Sequence, residues 1–174
     1  MISGLKAAFF VPTFRVETNH AMKFTSIMLL SLLLVNSNNL TAQSSEADQV
    51  KAVINGLFTA MKNADSVAVE KAFATGAIME TIAKTKLQSD TIRSNTTAQF
   101  AGSIKRQPAG ALDERIEFGS ILVDGNLAHV WTPYKFYYNG NFSHCGVNSF
   151  ELVKLNGEWK IRYLIDTRRK DNCN

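Results

Sequence analysis

Apolar residues along the chain follow two different periods. Val50, Val53, Ile54, Leu57, Phe58 and Met61 recur at i, i+3, i+4, i+7, i+8 and i+11, which predicts a helix with one apolar face. Ser45 with Asp48 three residues later is its candidate capping start, and Asn63 ends the pattern. Asp65 is placed to cap a second, shorter helix through Phe73, closed by Gly76. Ala77 to Ala83 and Leu87 to Ile92 predict two short strands about a Lys-Thr-Lys turn. Ser94 is the candidate cap of a third helix that buries Phe100 and Ile104 and stops at Pro108 and Gly110.

From Ile116 onward the period shortens to two. Strands are predicted over Ile116 to Val123, Leu127 to Tyr138, Phe142 to Leu155 and Trp159 to Thr167. Asp124-Gly125, Asn139-Gly140 and Asn156-Gly157 supply the hairpin turns between them. A turn fixes a register, so faces can be counted. Leu155 opposite Glu158 places Leu152 against Ile161, Phe150 against Tyr163 and Asn148 against Ile165, and this apolar face is assigned to the core. On the preceding strand Ala128, Val130, Thr132, Tyr134 and Phe136 share the inner face, while His129, Trp131 and Tyr137 share the outer one. Pro133 marks a candidate bulge there, because proline cannot donate to a central ladder.

The amino end has neither period. Ile27 to Val35 is a nearly unbroken apolar run, and with Phe24 it spans about twelve residues, short of the roughly 20 that cross a bilayer. It follows Met22-Lys23 and precedes a polar stretch and Leu40-Thr41-Ala42-Gln43, the order of a secretory signal peptide. Residues 1–43 are therefore expected to be leader and signal, cleaved near Ala42-Gln43. Residues 44–174 then form one domain, secreted or periplasmic, with no stable membrane anchor. The leader carries Lys6, Arg15, Lys23 and Glu17, so its loss lowers the net charge from +4 to +2. That mild charge, with no long basic run, argues against a nucleic-acid partner. The composition, 45% hydrophobic and 20% charged, is that of a globular chain.

Three helices interleaved with a short β-pair, followed by a four-strand meander, predict an α+β fold. A curved antiparallel sheet with the helices on one face fits this order. Val53-Ile54-Asn55-Gly56-Leu57-Phe58-Thr59-Ala60-Met61, Val123-Asp124-Gly125-Asn126-Leu127-Ala128 and Gly157-Glu158-Trp159-Lys160-Ile161 carry a resemblance that covers about residues 46–170. Through them the chain resembles the nuclear-transport-factor-2-like superfamily, which includes steroid isomerases, polyketide cyclases and dehydratases, and within it is most similar to the secreted bacterial group labelled "putative lumazine-binding". The resemblance implies a cone-shaped, strongly curved antiparallel sheet with three amino-terminal helices packed on its concave face. Such a fold hosts many functions, so chemistry has to come from the site.

Tyr134, His144, Asn148 and Tyr163 are the candidate ligand-binding residues, a polar cluster in an otherwise apolar pocket. His144 is the candidate acid or base, with Tyr134 or Asn148 donating to a developing oxyanion. The competing reading is a set of satisfied core polar groups with a rim histidine. Glu80 is a third catalytic candidate. Resembling isomerases carry a catalytic aspartate near here, but the match puts Thr81 at that position, and Glu80 one residue off faces the wrong side of a strand. The resemblance therefore favours a secreted domain that binds a small hydrophobic or aromatic ligand. The alternatives are an isomerase, dehydratase or polyketide-cyclase enzyme using the same pocket, and a dimerisation or assembly domain.

A homodimer through the outer sheet face is expected from His129, Trp131 and Tyr137. Arg168-Arg169-Lys170 is either an anion site at the cone mouth or a solvated end, and the solvated end is the simpler reading. Cys145 and Cys173 are the only pair of cysteines. Counting puts Cys145 opposite Arg168, so a disulfide requires the tail to fold back. With His144 they fall one ligand short of a zinc site, so no metal and no cofactor is expected.

Overall fold

The computed structural model describes residues 46–85, 87 and 89–173. Ser45 and the apolar leader lie outside the described residues. Helix α1 spans 46–62, and its predicted stripe is buried: Val50, Ile54 and Leu57 are at most 1% exposed. Helix α2 (Ser66–Ala72) begins where Asp65 accepts a hydrogen bond from the Ala68 amide at 3.0 Å. It ends at Ala72, and Gly76 sits inside strand β1 (Phe73–Lys84) rather than at a helix end. The cap of helix α3 (Thr97–Lys105) is Thr96, not Ser94. Thr96 and Gln99 form a reciprocal capping box, while Ser94 belongs to strand β2 (Asp90–Asn95).

The predicted strand from Ile116 to Val123 is two strands, β3 (Leu112–Ile116) and β4 (Ser120–Asp124). Both pair with β5 (Leu127–Tyr138), and β6 (Asn141–Leu155) and β7 (Glu158–Thr167) complete the sheet. Pro133 explains the break. It faces the gap between β3 and β4, where Glu117 and Gly119 donate to the carbonyls of Pro133 and Trp131, so its missing N–H leaves no ladder bond unmade. The bulge expected at Pro133 lies instead on β6, where Ser143 is the extra residue between Phe136↔His144 and Tyr137↔Phe142.

Seven strands run in the order β2-β1-β7-β6-β5-β3, with β4 beside β3 on β5. The sheet is curved and does not close. β1 and β7 pair in parallel and every other pair is antiparallel, so the sheet is mixed rather than wholly antiparallel. The three helices contribute Ile54, Phe58, Val69 and Ile104 to one core with Val130, Phe150, Leu152 and Ile161 of the sheet. Trp131, on the other face, is 45% exposed. No helix among the described residues is long and apolar enough to cross a membrane.

The Asn156-Gly157 turn has positive φ at both residues, 52° and 85°, the mirror-image turn that suits a two-residue hairpin. Leu155 pairs with Glu158 and Leu152 with Ile161, as counted. Beyond them Arg162 is inserted, so Glu151 opposes Tyr163, Phe150 opposes Leu164 and Asn148 opposes Asp166. That single residue exchanges the faces of the distal half of β7.

Candidate functional site

The inner face of the sheet is built in rows across four strands. Val130, Phe150, Leu164 and Met79 are successive register partners on β5, β6, β7 and β1. Two residues further along, the next row reads Thr132, Asn148, Asp166 and Thr81. An apolar row thus gives way to a polar one within a single pleat repeat. Thr132, Asn148 and Asp166 are 0%, 4% and 8% exposed, and every enclosed side-chain polar atom among the described residues has a partner.

Asn148, Asp166 and Thr81 of the polar row form one wall of a cavity of about 320 Å³, open to solvent, whose lining also includes the apolar Leu57, Phe58, Met61, Phe100, Ile104 and Phe136 and the polar Asn95, Ser103 and Gln107. Glu114 of β3 enters this cavity. It pairs in register with Phe136, and its Oε1 accepts from Asn148 Nδ2 at 2.8 Å. Asn148 Nδ2 also lies 3.4 Å from Thr132 Oγ1, which fixes the orientation of the amide. Protein surrounds the Glu114 carboxyl, and the surface it retains faces the cavity. Burial pushes its pKa up to about 7. Asp166 adds to the rise, while the bond from Asn148 and the charge of Arg168 oppose it.

Tyr134 donates to the Thr167 carbonyl at 2.9 Å and lies 3.2 Å from Asp166 Oδ2. Burial and then the Asp166 charge push its phenol well up, so it stays protonated. Arg168 donates from Nε to the same Asp166 oxygen at 2.8 Å and reaches Thr81 Oγ1 at 3.4 Å. Gly146 makes this crowding possible: a Cβ there would fall on the Thr167 carbonyl oxygen and 2.8 Å from the Tyr134 ring. His144 sits beside Tyr134 and Phe136, and its Nδ1 is 3.0 Å from Ser143 Oγ. Burial, reinforced by Arg168, lowers its pKa, which favours a neutral ring at neutral pH.

Three of the four candidate binding residues, Tyr134, His144 and Asn148, line the cavity, and Tyr163 does not. The Arg162 insertion turns Tyr163 to the outer face, where its hydroxyl donates to Glu80 at 2.7 Å. Glu80 touches the cavity rim, but its carboxylate is committed to Tyr163 and Ser94, whose hydrogen bonds hold its pKa below the usual range. That is the opposite of what a general base needs. The residues missed from sequence are Glu114 and Asp166. The alternation Leu112, Glu114, Ile116 was the signal for the first. The second was hidden by the inserted Arg162. Arg168 is paired rather than free, so the basic cluster is not a simple anion site.

Cys145 and Cys173 form a disulfide with Cα atoms 5.7 Å apart. The tail does fold back: Cys145 exchanges both backbone hydrogen bonds with Arg169, one residue beyond the counted partner. The bridge anchors the segment that follows Asp166 next to the cavity wall. Among the described residues no cluster of three metal-ligating side chains occurs.

This curved mixed sheet with three helices on its inner face defines a nuclear-transport-factor-2-like protein. Residues 45–162 match the family described as "Putative lumazine-binding", and the chain belongs to that family. Similar solved structures include a nuclear-transport-factor-2-like protein of unknown function from Shewanella baltica, at 15% identity and TM-score 0.58, covering 74% of this chain and 97% of that one. Another from Methylobacillus flagellatus has 18% identity and TM-score 0.56, with 72% and 93% covered. A domain of unknown function with a cystatin-like fold from Nostoc punctiforme has 15% identity and TM-score 0.56, with 76% and 80% covered. At such identities the likeness shows the fold alone. No curated protein matches the chain.

Proposed function

We propose that the protein is a small-molecule-binding domain whose ligand occupies the cavity between the helices and the polar row. The observation that carries this is the placement of Glu114 and Asn148, hydrogen-bonded to each other and open to a cavity whose walls combine aromatic and aliphatic side chains with convergent polar groups. The family description supports a planar heteroaromatic ligand. The cavity, about 320 Å³, suits one ring or a fused pair. The disulfide supports an oxidising compartment and hence export. Amino-terminal sequencing of protein from its own host should find the chain starting near Gln43 or Ser44, and a start at Met1 or Met22 overturns export.

A second reading, an enzyme working by acid–base chemistry, is favoured by one observation: Glu114 has a pKa of about 7 and faces the cavity, as a general acid or base must. His144, with its lowered pKa, is the accessory candidate.

Native mass spectrometry of protein purified from its own host tests binding. The expected result is a bound small molecule that Asn148→Leu loses while remaining folded. An Asn148→Leu protein that keeps the compound at full affinity rules out this site.

A further inference from the structure

The polar wall of the cavity carries three acceptor oxygens to which no described side chain donates, beside an Asn148 amide nitrogen and a Tyr134 hydroxyl whose donors are already directed to protein partners. Asn148 directs its amide nitrogen to Glu114 Oε1 and Thr132 Oγ1. Tyr134 directs its hydroxyl to Thr167 and Asp166, and Arg168 Nε is held by Asp166 Oδ2. Among the described residues no side chain donates to Glu114 Oε2, Asp166 Oδ1 or Asn148 Oδ1. No enclosed polar atom lacks a partner, so these oxygens are not sealed in protein; their residues line the cavity, and there they reach open space. With Glu114 ionised, the group of Glu114, Asp166 and Arg168 carries one net negative charge.

We infer that the ligand of this cavity presents a planar donor edge of the amidine type, adjacent N–H groups on a ring or beside one, to Glu114 Oε2 and Asn148 Oδ1. This rests on the binding reading above and names the chemistry that would satisfy it. A carboxylate oxygen and an amide oxygen on hydrogen-bonded neighbours, both open to one cavity, match N–H donors, and the net negative charge of the Glu114, Asp166 and Arg168 group disfavours carboxylate or phosphate ligands. The Phe58, Phe100 and Phe136 rings supply apolar walls against which a flat ring packs.

Burial holds the Glu114 carboxyl protonated up to about pH 7, and Arg168, paired with Asp166, offsets this only in part. A cationic amidine would offset it further. Its binding at lower pH must expel the Glu114 proton, so its affinity rises with pH up to about 7 and then levels. An acceptor ligand prefers the protonated acid and shows the reverse slope.

Benzamidine, benzamide and benzoate have nearly the same shape and differ in donors and charge, which makes them suitable probes by titration calorimetry. Benzamidine should bind tightest and gain about tenfold in affinity between about pH 6 and about pH 8. In Glu114→Gln that gain should vanish and affinity at the higher pH should fall about tenfold or more. The wild-type slope stands as a test even if the variant folds poorly. Benzoate or benzamide binding as tightly as benzamidine, or a flat wild-type profile, overturns the donor-edge class while leaving the cavity a binding site. No binding by any of the three at millimolar concentration overturns both.

Discussion

Two adjacent rows of the same sheet face, two residues apart, are held by different physics. Val130, Phe150, Leu164 and Met79 pack against the helices, and Phe150 meets Phe58 edge to face with ring centroids 6.2 Å apart. Thr132, Asn148, Asp166 and Thr81 hold together through directed hydrogen bonds and an ion pair, with a cavity in front of them. Packing tolerates any occupant of the right volume, whereas the polar row needs each partner in place. The fold keeps its stability in the first row and leaves the second free to carry a site.

The sharpest way to break that contrast is to empty the apolar row. Phe150 is fully buried, and Phe150→Ala should cost about 3–5 kcal/mol, read as a lower midpoint in urea. A loss below about 1 kcal/mol would show that the packed row is not where the stability resides.

The open half has a covalent substitute for packing. The Cys145–Cys173 disulfide links residues 28 apart and ties the tail beside Asp166 and Arg168. Replacing both cysteines by serine should cost about 3 kcal/mol in the same assay, through the entropy regained by the unfolded chain. Hydrogen exchange should rise first in residues 168–173 and leave the Phe150 row protected. Equal loss of protection in both rows would show that they unfold as one unit.

The two rows were not equally legible. Helical periodicity is local, so the buried stripe of α1 followed from spacing alone. The Asn156-Gly157 turn fixed pairs out to Leu152 and Ile161 because those contacts lie close to the turn. Counting failed beyond them at Arg162, whose side chain donates to the Gly76 carbonyl on β1. An insertion accompanied by a contact from a distant strand leaves no local trace, so the count carries Tyr163 and Ile165 to the inner face, where the structure places Leu164 and Asp166. Asn148 and Tyr134 lie on the inner face as counted, because the inserted Arg162 is on β7 and leaves the alternation along β6 intact, and no shift interrupts β5 between the Asp124-Gly125 turn and Tyr134. Glu114 was missed for another reason. Leu112-Asp113-Glu114-Arg115-Ile116 carries three charges in a row and reads as solvated loop. Only pairing with β5 turns its alternate residues inward.

Glu114 also gives the smallest of the expected effects, and one with the opposite sign. Burial pushes its carboxyl up to about 7 in the folded protein, against the ordinary 4.5 of the unfolded chain. Below about pH 4.5 both states hold the proton, and the group does not distinguish them. Between 4.5 and 7 the folded state keeps a proton that the unfolded state has released, so stability falls as pH rises. Above about 7 the loss is complete and constant. The full shift corresponds to about 3 kcal/mol, and solvent reaching the carboxyl through the cavity reduces this to about 2 kcal/mol. Glu114→Gln keeps an acceptor for Asn148 and removes the charge. The variant should therefore match wild type at about pH 4 and exceed it by about 2 kcal/mol at about pH 8, seen in urea melts across that range. A variant less stable than wild type at the higher pH would mean that the ionised carboxylate is a structural partner of the polar row. The contrast between a row that stabilises and a row that carries a site would then fail at the residue on which it most depends.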